Sequence, residues 1–231
     1  MKILSIDTAS DICGVSILDD NNLICNLDNN TGRTHSENLM PMIDSAFSKN
    51  NLSLNNIDLI VCDKGPGSFT GIRIGVATVK AFNDALSIPC IGISSLESLV
   101  YNIKQDLQEN DFACSIIDCK NDNCYYAIYQ LSNNQIKEIV EPKADNIEVF
   151  KTLSSNFQNK NITFVGDGSL IYKDYLTYIF ENCNFSNKNE LNSYSLGLAG
   201  LEKFKNNQLC DVLPLYLRKP QAQRQLEEKK Q

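Results

Sequence analysis

The 231-residue sequence has no tryptophan, a single histidine (His35) and three methionines, and its 21 lysines and arginines are outnumbered by 28 aspartates and glutamates. Two of these shortages exclude something. One histidine excludes a zincin-type peptidase centre, which needs at least two as ligands. A formal net charge of −7 argues against a protein that grips nucleic acid unaided, because phosphate binding needs a basic footprint. Work on nucleic acid inside a complex stays open. No run of about 18 apolar residues occurs, so no membrane-spanning helix is expected. The N-terminal apolar run stops at Asp7, far short of the core of a secretory leader. The nine cysteines form no CxxC pair. An odd count without an export signal fits a reduced cytosol. Cys114, Cys119 and Cys124 lie five apart with no histidine among them, so small buried side chains are the expectation there rather than zinc ligands. Motifs are lacking too: there is no Walker-type GxxxxGK[ST], no GxSxG elbow, and Thr70 stands where a dinucleotide loop beginning at Gly65 would need its last glycine.

What is present is an ordinary globular composition, 42% hydrophobic and 21% charged, long enough for one large domain or two small ones. Asparagines cluster in polar turns at Asn21-Asn22, Asn29-Asn30 and from Asn187 to Asn192. Strands are predicted at 2–7, 13–19 and 22–28, forming an antiparallel meander. A helix is predicted from His35 to about Asn50, with Thr34 or Ser36 as cap and Glu37 in its first turn. A buried strand at 57–62, a Gly/Pro loop at 65–67, a long helix to about Leu86, a strand at 88–93 and a helix after Ser94 complete an α/β first half. The second half repeats that order. Strands are expected at 112–118, 124–131, 136–140 and 162–165, with helices near 146–155, 169–181 and 194–205. The sequence therefore reads as a duplicated two-lobed fold: an N-terminal lobe at 1–105, a C-terminal lobe at 106–220 and a mobile tail at 221–231.

Two helices carry more apolar surface than one lobe can cover. In the first, Leu39, Ile43, Ala46 and Phe47 form a stripe that Met40 and Met42 widen. The second has Phe69, Ile72 and Val76 on one side and Ile74, Ala77 and Ala81 on another, so burial on all sides is expected. Gly67, Gly71 and Gly75 recur every four residues and line one face. Each glycine weakens the helix, so a packing reason is needed, and close approach of another element is the expected one. An ordinary buried core helix is the alternative for both. His35 lacks a visible nucleophile and orienting acid, so a hydrogen bond at the helix start is its expected role. Asp7 and Asp118 each end the first strand of a lobe, where a duplicated nucleotide-binding fold would contact nucleotide. The turns after them, Thr8-Ala9-Ser10-Asp11 and Cys119-Lys120-Asn121-Asp122, carry no glycine to bring backbone amides to phosphate, so both cradles read as vestigial. Gly166-Asp167-Gly168-Ser169 is a weaker third candidate loop.

Five segments together resemble one family. DTAS (7–10), RTHSENLMPMI (33–43), GPGSFTGIRIGVATVK (65–80), IPCIGISSLESL (88–99) and PLYLRKPQA (214–222) are similar, in that order, to the bacterial TsaB (YeaZ) family. The resemblance implies a duplicated actin/hexokinase/Hsp70-like (ASKHA) fold. It implies a role in forming threonylcarbamoyladenosine beside the anticodon, at position 37 of tRNAs that decode ANN codons, as the non-catalytic partner of a paralogous TsaD-type transferase and together with a TsaE-type ATPase. No cofactor or metal is expected. The catalytic paralog carries two metal-binding histidines four apart, where this sequence has Ser95 and Leu99. The resemblance also places the partner interface on the first two helices, and lets the isolated protein pair with itself there. The expected contact residues are His35, Leu39, Met40, Met42, Ile43, Phe47, Gly67, Phe69, Gly71, Ile72, Arg73, Gly75 and Val76. Asp7, Thr8, Ser10 and Asp118 are the expected remnants of nucleotide loops. An ATP-dependent kinase or ATPase of the same fold is the alternative.

Overall fold

The computed structural model describes residues 1–30 and 34–218. The expectation of a mobile tail from 221 falls outside them. The elements follow as β1 (Lys2–Asp7), β2 (Cys13–Asp19), β3 (Asn22–Asn29), α1 (His35–Lys49), β4 (Leu59–Asp63), α2 (Phe69–Leu86), β5 (Cys90–Ile93) and α3 (Ser95–Tyr101). The second half has β6 (Phe112–Asp118), β7 (Asn123–Ser132), β8 (Gln135–Asn146), α4 (Val149–Leu153), β9 (Ile162–Val165), α5 (Asp167–Ile171), α6 (Lys173–Ile179), β10 (Cys183–Phe185) and α7 (Ser193–Lys205).

Two five-stranded sheets result, ordered β3-β2-β1-β4-β5 and β10-β9-β6-β7-β8. They are one pattern used twice. In each, an antiparallel meander is extended by parallel strands: Asp7 faces Gly14 across β1 and β2, and Ile3 faces Leu59 across β1 and β4. In the second sheet Asp118 faces Cys124 and Phe112 faces Ile162. The continuous apolar run of β1 reflects burial on both faces. Leu4 and Ile6 enter the core under α1 and α2, while Ile3 enters a separate core under α7.

The helices that end the two halves cross over. The α3 residues Leu96, Leu99 and Val100 pack with Ala113, Ala127 and Val165 of the second sheet. The α7 residues Leu196, Ala199 and Leu201 pack with Ile3, Leu59 and Val61 of the first. The segment expected as a C-terminal lobe at 106–220 thus returns to the first sheet after β10. The chain past α7 stays there: Gly92 N donates to Cys210 O at 3.0 Å and Leu215 N to Lys64 O at 2.7 Å.

Several boundaries differ from expectation. The helix expected at 169–181 is two helices broken at Tyr172, and that expected at 146–155 is α4 followed by a tight turn at Ser154–Phe157. The short strand β10 was not predicted. Its three residues carry little strand signal, and pairing with β9 holds them. Thr34 is the N-cap of α1, its N–H donating to Glu37 Oε2 at 3.3 Å. Among the described residues, no helix is long and apolar enough to cross a membrane. Cys114 and Cys124 are buried, whereas Cys119 takes a 3.0 Å contact from Arg218 Nη1.

Candidate functional site

Two regions answer to the sequence-predicted residues: the cleft between the sheets, and the outer face of α1 and α2. The cleft has a volume of about 540 Å³ and lies at the strand ends, walled by Ser10, Pro66, Ser68, Asp118, Lys120 and Asp167 among others. In a fold of this layout ligands sit outside the carboxyl ends of the strands.

The first-lobe loops here are closed by the chain itself. Ser68 N donates to Ala9 O at 2.6 Å, and the Ser68 hydroxyl accepts from Gly71 N at 3.2 Å, capping α2. The Thr8 hydroxyl donates to Gly71 O at 2.7 Å. A Cβ added at Gly67 would lie 2.1 Å from Ala9 O, one at Gly71 1.9 Å from Thr8 O, and one at Gly75 2.5 Å from Thr8 Oγ1. The glycine stripe therefore faces inward. It admits the backbone of residues 8–9 to the start of α2, where an anion would otherwise bind, and it does not present itself to a partner. His35 belongs to the same joint: its Nε2 meets Ser10 O at 2.7 Å, tying α1 to this turn. Its Nδ1 is buried and has no hydrogen-bond partner among the described residues, so no orienting acid is bonded to it there.

The second-lobe loop is closed in the same way. Asp167 Oδ1 accepts from Asp118 N at 3.1 Å and from Gly168 N at 2.7 Å, while Gly166 N donates to Asn189 Oδ1 at 2.9 Å. Asp118 accepts from Lys120 N and from the Tyr172 hydroxyl. Carboxylates occupy the donors that a phosphate would need. Asp11, Asp118, Asp167 and Glu190 line the cleft with Lys120, which pairs with Asp118, while Arg218 reaches the Cys119 wall, so acids outnumber bases around it.

Beneath the first loop lies a pair of acids of which only one was expected. Asp7 ends β1 and Asp63 ends the neighbouring parallel strand β4. Both are buried, and each keeps one carboxylate oxygen without a hydrogen-bond partner among the described residues. Asp7 Oδ1 accepts from Ala9 N; Asp63 Oδ1 accepts from Gly65 N at 2.7 Å and from the Ser95 hydroxyl at 2.6 Å. Burial pushes Asp7 up to about 7. Burial, reinforced by Asp7, pushes Asp63 well above the carboxylate range. Ser95, at the first expected ligand position of the paralog, is thus a structural donor, and Leu99 is buried. The signal for Asp63 was present in the sequence, since β4 ends in Asp as β1 and β6 do.

On the helices, the residues expected at a partner interface divide. Leu39, Met42, Ile43, Phe47, Ile72 and Val76 belong to the first sheet's own core, which answers the apparent surplus on α1. Met40 is half exposed, at 50%. The expectation that α2 is buried on all sides fails in the single chain: Arg73, Ala77, Ala81 and Ala85 are exposed. They form a low ridge of small residues headed by a cation. At that head the Arg73 guanidinium lies 3.9 Å over the Phe69 ring, Arg73 Nε donates to the Tyr216 hydroxyl at 2.8 Å, and Phe69 and Tyr216 stack at 4.5 Å.

Two sheets of repeated topology with a cleft at their strand ends define a two-lobed protein of the actin and hexokinase kind. YeaZ from Pseudomonas aeruginosa superposes with a TM-score of 0.80 at 21% identity, over 94% of this chain and 99% of that one. A ROK hexokinase from Thermus thermophilus gives 0.58 at 9% identity, over 89% and 100%. The sequence model of the family described as "TsaD: tRNA N6-adenosine threonylcarbamoyltransferase" matches residues 28–224, and the chain belongs to that family, in its TsaB (YeaZ) branch. The tRNA threonylcarbamoyladenosine biosynthesis protein TsaB of Bacillus subtilis is 26% identical over 230 residues, 96% of each chain. The TsaB of Escherichia coli is 30% identical over 139 residues, 59% of this chain and 58% of that one. The chain is a member of a family of tRNA threonylcarbamoyladenosine biosynthesis proteins.

Proposed function

We propose that this chain is the non-catalytic subunit of a tRNA threonylcarbamoyltransferase complex. It docks a TsaD-type catalytic paralog, helps recruit a TsaE-type ATPase, meets tRNA only within that complex, and forms a homodimer when alone. It works in the cytoplasm and carries no metal or cofactor of its own.

The closure of both strand-end loops by the chain's own groups supports this reading most directly. Ala9 O occupies the start of α2, and Asp167 and Asn189 occupy the amides of the second loop. A nucleotide phosphate would have to displace carboxylates in an acidic cleft. The docking surface consists of the exposed residues of the two helices: Met40 on α1, and Arg73, Ala77 and Ala81 on α2, beside the Phe69–Tyr216 stack. Small side chains let a helix of similar shape approach closely, and an isologous pair of such faces gives a homodimer. His35, Gly67, Gly71 and Gly75 support that face from behind by fixing how α1 and α2 sit on the β1 turn.

The test is light scattering after size exclusion, on the full chain alone and mixed with the TsaD-type paralog of the same organism. A homodimer that gives way to a heterodimer is the expected result. A chain that stays monomeric and ignores the paralog overturns the reading.

A further inference from the structure

A second cavity, of about 450 Å³, lies between α3, α7 and the β7–β8 hairpin. It opens beside a neighbouring cavity of about 540 Å³, with which it shares Tyr101, Gln135, Glu202 and Asn206. Neither the strand-end cleft nor the α1–α2 face contributes to it.

Its wall holds a buried donor that bonds to nothing. Tyr129, on β7, is 1% exposed, and its hydroxyl has no hydrogen-bond partner among the described residues. Burial, with Glu97 and Glu138 nearby, holds that hydroxyl in its protonated form. Buried polar groups are normally answered by a partner, so an orphan at a cavity wall points to an acceptor brought from outside. Next to it Glu97, also buried, pairs with Lys203 Nζ at 3.0 Å. Further along, Lys104 pairs with Glu202 and sits over the Tyr101 ring.

The wall thus offers groups of both kinds. Glu97, Glu138 and Glu202 accept; Tyr129, Lys137 and Lys203 donate. A simple anion placed here faces three carboxylates. A simple cation leaves the Tyr129 hydroxyl unanswered. A small molecule carrying both charges satisfies each side, and the volume is in the range of small-ligand sites. We propose that this cavity binds a small zwitterion of the free amino acid type, its carboxylate held by the Tyr129 hydroxyl and the Lys203 ammonium, and its ammonium held by Glu97 and Glu138. The inference does not depend on the docking role proposed above.

The test is calorimetry and thermal melting of the full chain with each free L-amino acid to about 20 mM. Sodium acetate and ethylammonium chloride serve as the two half-molecules. At least one amino acid is expected to give a saturable rise in melting temperature, and neither half-molecule any. Tyr129→Phe removes a hydroxyl that bonds nothing, so the variant melts no lower than the parent without ligand, and it binds that amino acid at least tenfold more weakly. Glu138→Gln, at an exposed strand position, weakens binding in the same direction. The inference is overturned if no amino acid gives a saturable response, if Tyr129→Phe binds unchanged, or if acetate alone reproduces the effect.

Discussion

The buried acid pair at the ends of β1 and β4 makes stability depend on pH in a calculable direction. Asp7 is 2% exposed and its pKa is raised from 3.8 to about 7, chiefly by burial. The folded state therefore holds this proton more tightly than the unfolded chain does. The stabilisation from the proton is complete below about pH 4 and is lost as pH rises through about 7. About three pH units at about 1.4 kcal/mol each put the loss at about 4 kcal/mol for Asp7 alone. Asp7→Asn removes that titration. Its amide oxygen keeps the acceptor for Ala9 N, and its amide nitrogen supplies a hydrogen permanently where Asp7 must bind a proton. Urea unfolding of parent and variant at half-unit steps from pH 4.5 to 8.5 gives a difference in which groups that do not feel Asp7 cancel, leaving Asp7 and its effect on Asp63. The variant should match the parent within about 1 kcal/mol at pH 4.5 and exceed it by about 2–4 kcal/mol at pH 8. A difference that is flat with pH, or a variant less stable than the parent at pH 8, refutes the account of Asp7 as a buried, protonated acid.

Three further outcomes are expected. Gly71→Ala places a Cβ against Thr8 O and should lower the stability of the isolated chain by about 1–3 kcal/mol in urea; an unchanged midpoint would mean that the turn at residues 8–9 is loose. Ala77→Arg, on the exposed ridge of α2, should leave the chain's stability within about 0.5 kcal/mol while abolishing the heterodimer in light scattering, and a heterodimer that survives moves the interface elsewhere. The isolated chain should bind Mg-ATP no more tightly than millimolar by calorimetry; micromolar binding lost in Asp7→Ala or Asp118→Ala would restore the ATPase reading.

Much of this protein was legible in its sequence. The strand runs KILSID and FACSIID, each followed by a polar turn and a second strand, disclose the duplication, because burial on both faces demands continuous apolar residues. The cap at Thr34 and the span of α2 follow from local chemistry that acts within a few residues. The family is carried by short motifs, above all the segment from Gly65 to Gly75. The charge argues against an unaided grip on nucleic acid, and the single histidine excludes a zincin-type centre.

Three things were decided only in three dimensions. A periodic stripe says that a helix has a special face but not what lies against it. Hence the glycines of α2 turned out to admit the chain's own Thr8 and Ala9, and Leu39, Ile43 and Ile72 to fill the first sheet's core. The partnership of Asp7 with Asp63 arises because a parallel crossover brings two strand ends, 56 residues apart in the chain, side by side. The exchange of α3 and α7 between the sheets follows from the same cause. An apolar helix face fits any sheet of matching shape, and only the path of the whole chain determines which sheet it meets.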